Sequence, residues 1–153
     1  MQVRIATIDD ITQIKKLEEK WIEEGISRFM KKDDLKTLKK AIKKNQLFIA
    51  ENKDRIVGYA KIIVQKSKKT LKIYNLRKGQ RYVDIDSIFI LKSYRRKGVG
   101  KKLLGIIDDF ARFNKIKLII LSADNINVKG IINFYKKQGF KTHFVRMFKQ
   151  LED

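Results

Sequence analysis

One stretch of the sequence gathers residues suited to hold an anion: Ile88-Phe89-Ile90-Leu91-Lys92-Ser93-Tyr94-Arg95-Arg96-Lys97-Gly98-Val99-Gly100-Lys101. An apolar strand-like run ends at Leu91, a turn rich in basic residues follows, and a helical pattern begins at a Gly-x-Gly pair. The first turn of a helix has backbone N–H groups without intrahelical partners and a partial positive charge, so it receives phosphate oxygens well. Gly98 and Gly100 have no side chains to keep a pyrophosphate from those N–H groups, and Lys101 and Lys102 add charge at the same end. Two better-known phosphate patterns, G-x-x-x-x-G-K-[ST] and G-x-G-x-x-G, do not occur. A two-glycine turn alone specifies little, because many strand-to-helix turns contain glycine.

The elements that must position this run follow from periodicity. A short strand is expected at Gln2-Ala6, and Thr7-Ile8-Asp9-Asp10 has the form of a capping box. The helix after it places Ile11, Ile14, Leu17 and Trp21 on one face and ends at Gly25. A second helix is expected from Asp33 to Lys44, with Leu35, Leu38 and Ile42 inward. Strands follow at Gln46-Glu51 and Arg55-Gln65, joined by a turn at Asn52-Lys53-Asp54. Residues Lys66 to Arg81 hold seven basic residues and no acidic ones, with a possible strand at Leu71-Leu76; they read as a solvated loop or as an extended, partner-facing hairpin arm. Beyond them the pattern predicts a strand at Val83-Leu91 and a helix at Gly98-Phe113. A strand at Lys117-Ser122, a helix at Asn127-Lys137 and a last strand at Phe140-Gln150 complete it. Strand–helix–strand succession demands at least one parallel pair, whereas the earlier hairpins are antiparallel. The expected fold class is α+β, with a mixed, mostly antiparallel central sheet flanked by helices.

Composition bounds the function. At 153 residues the chain fits a single domain spanning 1-153, with no Pro, no Ser/Gly-rich linker and no repeat to mark a boundary. Apolar runs of about four residues fall far short of the roughly 20 that a spanning helix needs, so no membrane is expected. The absence of cysteine excludes disulfides and thiolate metal sites, and the one histidine, His143, leaves no histidine cluster; no metal and a cytoplasmic setting are expected. Against 17 acidic residues stand 37 basic ones, a formal net charge of +20. That excess suits polyanion binding, but Lys pairs recur along the whole chain rather than in one tail, which equally describes a lysine-covered surface.

The run Arg95-x-x-Gly98-x-Gly100 after a strand resembles the coenzyme-binding signature of the GNAT superfamily of N-acetyltransferases. Downstream, Asn127 … Asn133-Phe134-Tyr135-Lys136-Lys137-Gln138-Gly139-Phe140 is similar to that family's second motif, and Ile5-Ala6-Thr7-Ile8-Asp9-Asp10 to its N-terminal strand and helix cap. Both motifs stand in the expected order, and the resemblance covers nearly the whole chain.

The resemblance implies a GNAT-like fold, acetyl-CoA as cosubstrate and a primary amine as acceptor: a protein N-terminus, a lysine or a small molecule. The pantetheine arm would pair with Ile88, Phe89 and Ile90, where a bulge splays this strand from the next. The pyrophosphate would rest on the N–H groups of Arg96, Lys97, Gly98, Val99, Gly100 and Lys101, in a loop opened by Arg95. Asn127 would hold the pantetheine, and Tyr135 would protonate the departing thiolate. From Asn127 to Tyr135 the chain is one residue longer than the usual spacing, around Gly130-Ile131-Ile132. The glutamate that some members carry on the fifth strand is Ser122 here, and the one that others carry on the fourth strand falls about where Asp84 lies. Asp84 and Asp86, expected on one strand face, are the candidate bases, directly or through water. Trp21 is expected in the core or a pocket wall, and His143 as an ordinary strand residue. The competing reading is a basic module that binds nucleic acid or the ribosome without catalysis; a domain that binds acyl-CoA without transferring it is a third. An acidic or nucleic-acid-associated partner fits the charge, and a monomer or a homodimer fits the length.

Overall fold

Alternation along the central strands decides the architecture. In β2 (Leu47–Asn52), Leu47 and Ile49 face one side while Phe48 and Ala50 face the other, and all four are buried. In β3 (Arg55–Lys66), Ile56 and Tyr59 oppose Val57, Ala60 and Ile62, the phase of the alternation being shifted by a bulge across from Ala50 and Glu51. Strands buried on both faces need covering layers on both sides, and the helices supply them. We describe residues 1–27, 30–124, 127–144 and 149 of a computed structural model.

Among the described residues the sheet has five strands in the order β1-β2-β3-β4-β5. The others are β1 (Gln2–Ile5), β4 (Arg81–Ile90) and β5 (Ile119–Leu121). The first four pair antiparallel; β5 runs parallel to β4, joined to it through α3 (Val99–Phe113). On one face lie α1 (Ile11–Glu24) and α2 (Leu35–Lys43), which bury Ile11, Ile14, Leu17, Leu38 and Ala41 against Leu47, Ile49, Tyr59 and Phe89. On the other, α3 buries Val99, Leu103, Leu104, Ile107 and Ala111 against Phe48, Val57, Ala60 and Ile62, and Tyr135 of α4 (Val128–Lys137) joins that core. The mixed, mostly antiparallel sheet flanked by helices is the expected α+β class.

Local chemistry sets the boundaries of α1. The Asp10 carboxylate accepts the Thr7 N–H (2.7 Å) and the Thr7 hydroxyl (3.1 Å), the reciprocal half of a capping box. Arg4 grips the same carboxylate with two guanidinium N–H groups at 2.7 and 2.9 Å. At the other end Gly25 takes a left-handed φ of 59° and returns its N–H to Ile22.

Four expectations need correction. In α2 it is Ala41, not Leu35, that packs inward beside Leu38; Leu35 is 52% exposed because it opens the helix on its outer side. The 66–81 segment is no extended arm: a 3-10 turn at Lys72–Tyr74 folds it back, Leu71 bridges Leu76, and Ser67 bonds the backbone of Gln80 and Gly79. Residues 140–144 carry no strand, and residues 145–148 and 150 of the expected last strand lie outside the described residues. Finally, Asp84 and Asp86 do not share an ordinary strand face. Ile85 pairs with Ile62 and Ser87 with Lys61, so Asp86 is a bulge residue without a partner, and Ser87 takes its place on the α1 side.

Candidate active site

The bulge at Asp86 marks where the sheet opens. Pairing between β4 and β5 runs through Val83–Ile119, Asp84–Ile120 and Ile85–Leu121 and stops there. The splay therefore begins at Asp86, earlier than the Ile88-Phe89-Ile90 stretch where the bulge was expected. Leu91 donates its N–H to Val57 of β3 at 2.9 Å. Because backbone groups alternate along a strand, the amides of Ile88 and Ile90 point the other way, into the gap.

At the end of β4 a 3-10 turn (Lys92–Tyr94) leads to Arg95, then to Arg96 at φ 63°, Gly98 at φ 79° and the first turn of α3. The N–H groups of Arg96 through Lys101 make no hydrogen bond to any described residue; the helical ladder starts with Lys102 N–H to Gly98 O. Six consecutive open donors at a helix N-terminus make a concavity of the kind that receives anions. The two glycines differ in purpose. Gly98 has no neighbour within 4 Å of a Cβ position and is needed for its left-handed backbone. A Cβ on Gly100 would sit 2.8 Å from Cζ of Phe134, so this glycine lets α4 pack on α3 and does not simply leave room for phosphate.

Arg95 turns away from the concavity. Its guanidinium donates to the Ile90 carbonyl at 2.8 Å and to Glu24 at 2.5 Å, and lies 5.5 Å from the centre of the Phe89 ring. It ties the end of α1 to the end of β4. Lys97 lies over Tyr94 at 5.6 Å, while Lys101 remains exposed. Asn127 caps α4 by accepting the Gly130 N–H at 3.0 Å, and a Cβ on Gly130 would come within 2.5 Å of the Asn127 side chain. The extra residue between Asn127 and Tyr135 is thus part of a cap whose closeness requires glycine.

Between the splayed strands and α1 lies a cavity of about 440 Å³, whose walls include Trp21, Asp33, Lys61, Asp86, Ser87, Ile88, Asp124 and Tyr135. A larger groove between α3 and the sheet edge near Phe113 holds none of the expected site residues. Tyr135 is held by Phe134 and Phe140 at ring distances of 5.1 and 5.5 Å, and burial pushes its phenol up to about 12. It therefore stays protonated through the neutral range. Asp86 faces the cavity; Asp84 does not line it but accepts from Gln65 at 3.3 Å, and burial first, then the charge of Asp86, raises its carboxyl.

The sequence did not single out the cluster behind Asp86. Lys61 pairs with Asp33 and, at 3.0 Å, with Asp86. Burial pulls its ammonium down, but the two carboxylates outweigh burial and leave it above its ordinary value. Glu18 is 0% exposed, accepting the Asp33 N–H at 3.3 Å; burial raises its carboxyl, the Asp33 N–H offsets part of that rise, and the charge of Asp33 adds to it. Signals existed: Lys61 is the one charge inside an otherwise apolar strand, and Glu18 falls within the inward stripe of α1 between Leu17 and Trp21.

Comparison with known proteins agrees with this geometry. The family model for the acetyltransferase (GNAT) domain matches residues 43–142, which takes in β2 through α4. No curated protein matches in sequence. Among solved structures, a tetramutant of the BH1408 protein from Bacillus halodurans superposes with a TM-score of 0.76 at 17% identity, covering 99% of this chain and 100% of that one. A predicted acetyltransferase with acetyl-CoA from Clostridium acetobutylicum gives 0.72 at 22% identity, covering 97% and 95%. An aminoglycoside N-acetyltransferase, AAC(6')-Iy in complex with CoA, gives 0.70 at 16%, covering 99% and 100%. These likenesses carry the fold, and the match over most of the chain carries the family: this chain belongs to the GNAT acetyltransferases, whose reaction class is acyl-CoA-dependent N-acetyl transfer.

Proposed function

We propose that the chain, acting as one domain, transfers an acetyl group from acetyl-CoA to a primary amine of small-molecule size that enters the cavity as its ammonium. The observation that carries this reading is the run of six open N–H groups from Arg96 to Lys101, one packing contact away from the gap in β4: Ile88 lines the cavity, and Ile90 reaches Gly100. Those residues fit a pyrophosphate, with Gly98 leaving its approach clear and Lys97 and Lys101 adding charge. The C. acetobutylicum and AAC(6')-Iy structures, bound to acetyl-CoA and CoA, support the same assignment.

When bound, acetyl-CoA supplies the acetyl thioester. The chain's own residues do the rest. The outward amides of Ile88 and Ile90 align the pantetheine and offer an N–H to the carbonyl oxygen as charge develops on it. Tyr135, kept protonated by burial, donates to the departing sulfur. Asp86, 3.0 Å from Lys61, presents negative charge to the incoming ammonium, whereas Asp84 lies outside the cavity wall and contributes at most through Asp86. Asn127, whose side-chain oxygen caps α4, serves the coenzyme by fixing the helix that carries Tyr135. Holding both substrates in line supplies much of the rate. A cavity of about 440 Å³ falls in the range of small-molecule sites, and the aminoglycoside acceptor named for AAC(6')-Iy is of that class.

The second reading, a polyanion-binding module, is favoured by one observation: seven basic residues and no acid within residues 66–81. Thermal unfolding with acetyl-CoA, CoA, ATP and a short oligonucleotide separates the two. Acetyl-CoA at about 100 times its dissociation constant adds roughly 2.7 kcal/mol, a shift of several degrees that ATP and the oligonucleotide should not match. Equal shifts with all four that vanish in salt would instead establish the basic surface as the ligand site.

A further inference from the structure

Of the basic residues gathered between Lys92 and Lys102, Arg95 alone has a carboxylate partner among the described residues; Lys92, Arg96, Lys97, Lys101 and Lys102 do not pair with one. A phosphate is best met by uncommitted donors, and those five charges and the open N–H groups supply them. Arg95 is placed for another task. Its own N–H closes the 3-10 turn on the Lys92 carbonyl at 3.3 Å, so the open run starts one residue later. Its Nε donates to the Ile90 carbonyl at 2.8 Å and its Nη2 to Glu24 Oε2 at 2.5 Å. The two side chains are 31% and 23% exposed, so water and salt screen their pairing less than at the open surface.

Both ends of this bridge reach functional ground. The N–H and C=O of one residue leave a strand on the same side. The Ile90 carbonyl therefore faces the gap as its amide does, and Arg95 satisfies a carbonyl that the β3–β4 ladder leaves open. Glu24 is the last residue of α1; Trp21 one turn before it, and Ile26 and Ser27 just after it, line the cavity. Phe89, 2% exposed, completes the link: it stacks on Trp21 at 5.3 Å and 14°, and its ring centre lies 5.5 Å from the Arg95 guanidinium.

Building on the acetyl-transfer reading above, we infer that Glu24 and Arg95 are positioning residues for acetyl-CoA. Glu24 holds Arg95 out of the concavity, and Arg95 braces the end of β4 against α1, so that the gap and the concavity keep a fixed relation. A ligand that spans both regions binds better for it, since less ordering is left to be done on binding. A ligand that fills the concavity alone is indifferent to the brace. The two-pronged contact demands arginine: lysine keeps the charge but cannot reach a carbonyl and a carboxylate from two separate nitrogens. An arginine reserved for phosphate would behave in the opposite way, because Glu24 would then compete with the coenzyme and its neutralisation would strengthen binding.

The test measures, by titration calorimetry, the affinity of CoA and of its nucleotide half, adenosine 3′-phosphate 5′-diphosphate. The proteins compared are wild type, Glu24→Gln, Arg95→Lys, Arg95→Gln and the double variant Glu24→Gln/Arg95→Gln, each well below its own unfolding midpoint. Every single change should weaken CoA roughly tenfold and leave the nucleotide half bound as in wild type. The double variant should be no weaker than either single one, because the same bridge is lost in all. Glu24→Gln replaces one oxygen by an amide nitrogen and decides the sign even where an arginine variant fails to fold. Tighter CoA binding in Glu24→Gln, or parallel losses of CoA and nucleotide in the arginine variants, would make Arg95 a phosphate ligand and overturn the brace. Wild-type affinity for CoA in every variant, with only the unfolding midpoint lowered, would make the bridge purely structural and overturn it as well. Either result leaves acetyl transfer standing, whereas a wild type that does not bind CoA overturns the reading on which the brace rests.

Discussion

The start of α3 and the wall of the cavity meet at the end of β4, yet they draw on different parts of the polypeptide. The first is local and made of backbone: fourteen consecutive residues from Ile88 to Lys101 supply a strand edge, a turn and six open N–H groups. The second is scattered and made of side chains, since Trp21, Asp33, Lys61, Asp86 and Tyr135 come from five separate segments. Backbone donors recognise a phosphate whatever the surrounding side chains, so in the proposed reaction the local region meets one invariant ligand. Buried ionisable side chains respond to every neighbour, so in the proposed reaction the scattered region is where an acceptor is chosen. The concavity should therefore tolerate side-chain changes that the wall does not.

The sharpest way to break this contrast is at Lys61. Replacing it by Met leaves Asp33 and Asp86 without their counter-ion, and such a loss costs about 3 kcal/mol, a fall in Tm of roughly 6–12 °C. The acetyl-CoA shift should persist in the surviving folded protein. A Lys61→Met variant as stable as wild type would show that the cluster contributes nothing to the fold.

Next in size is Tyr135→Phe. Removing the phenol should lower kcat about 10²-fold with acetyl-CoA stabilisation intact, because Tyr135 packs through its ring and only its hydroxyl is lost. Wild-type turnover in this variant would take the acid role away from Tyr135.

The two glycines of the concavity make a smaller and more discriminating pair. Gly100→Ala drives a Cβ to 2.8 Å from the Phe134 ring; overpacking of about 2 kcal/mol outweighs a helix-propensity gain of about 1 kcal/mol. Gly98→Ala meets no neighbour but must keep φ at 79°, costing about 1 kcal/mol. Equal losses of stability are thus expected for opposite reasons. Only Gly100→Ala should also lower kcat, because it displaces the helix that carries Tyr135. Turnover falling equally in both variants would count against that distinction.

The smallest effect is a pH dependence far from the cavity. The Arg4 guanidinium holds the Asp10 carboxyl below its ordinary value, against some desolvation. A depressed carboxylate stabilises the fold above its unfolded value of about 3.9, and that contribution is lost as pH falls through the lower folded value. Asp10→Asn should therefore reduce stability by about 1 kcal/mol at neutral pH and flatten the acid-unfolding curve below pH 4. Parallel acid curves for the two proteins would show that the ion pair is not linked to folding.

Legibility followed the same division. The capping box at Thr7–Asp10, the Gly25 stop, the hairpin between β2 and β3, and the strand–turn–helix at residues 88–101 were all readable, because each depends on contacts within a few residues. Tyr135 was readable as well, anchored by the sequence that follows it. Unreadable were the turn that folds back residues 66–81, the bulge that takes Asp86 off its expected face, and the engagement of Arg95 with Glu24, 71 positions away.

By itself, then, the sequence determined the order of elements through α4, the mixed sheet and the family, since periodicity, caps and glycine spacing are local properties of a chain. Only the tertiary structure decided which carboxylate faces the cavity, that Lys61 stands between Asp33 and Asp86, and that Glu18 is buried against the backbone of Asp33. Burial and the charge of neighbours set what an ionisable group does, and both exist only once distant segments are packed together.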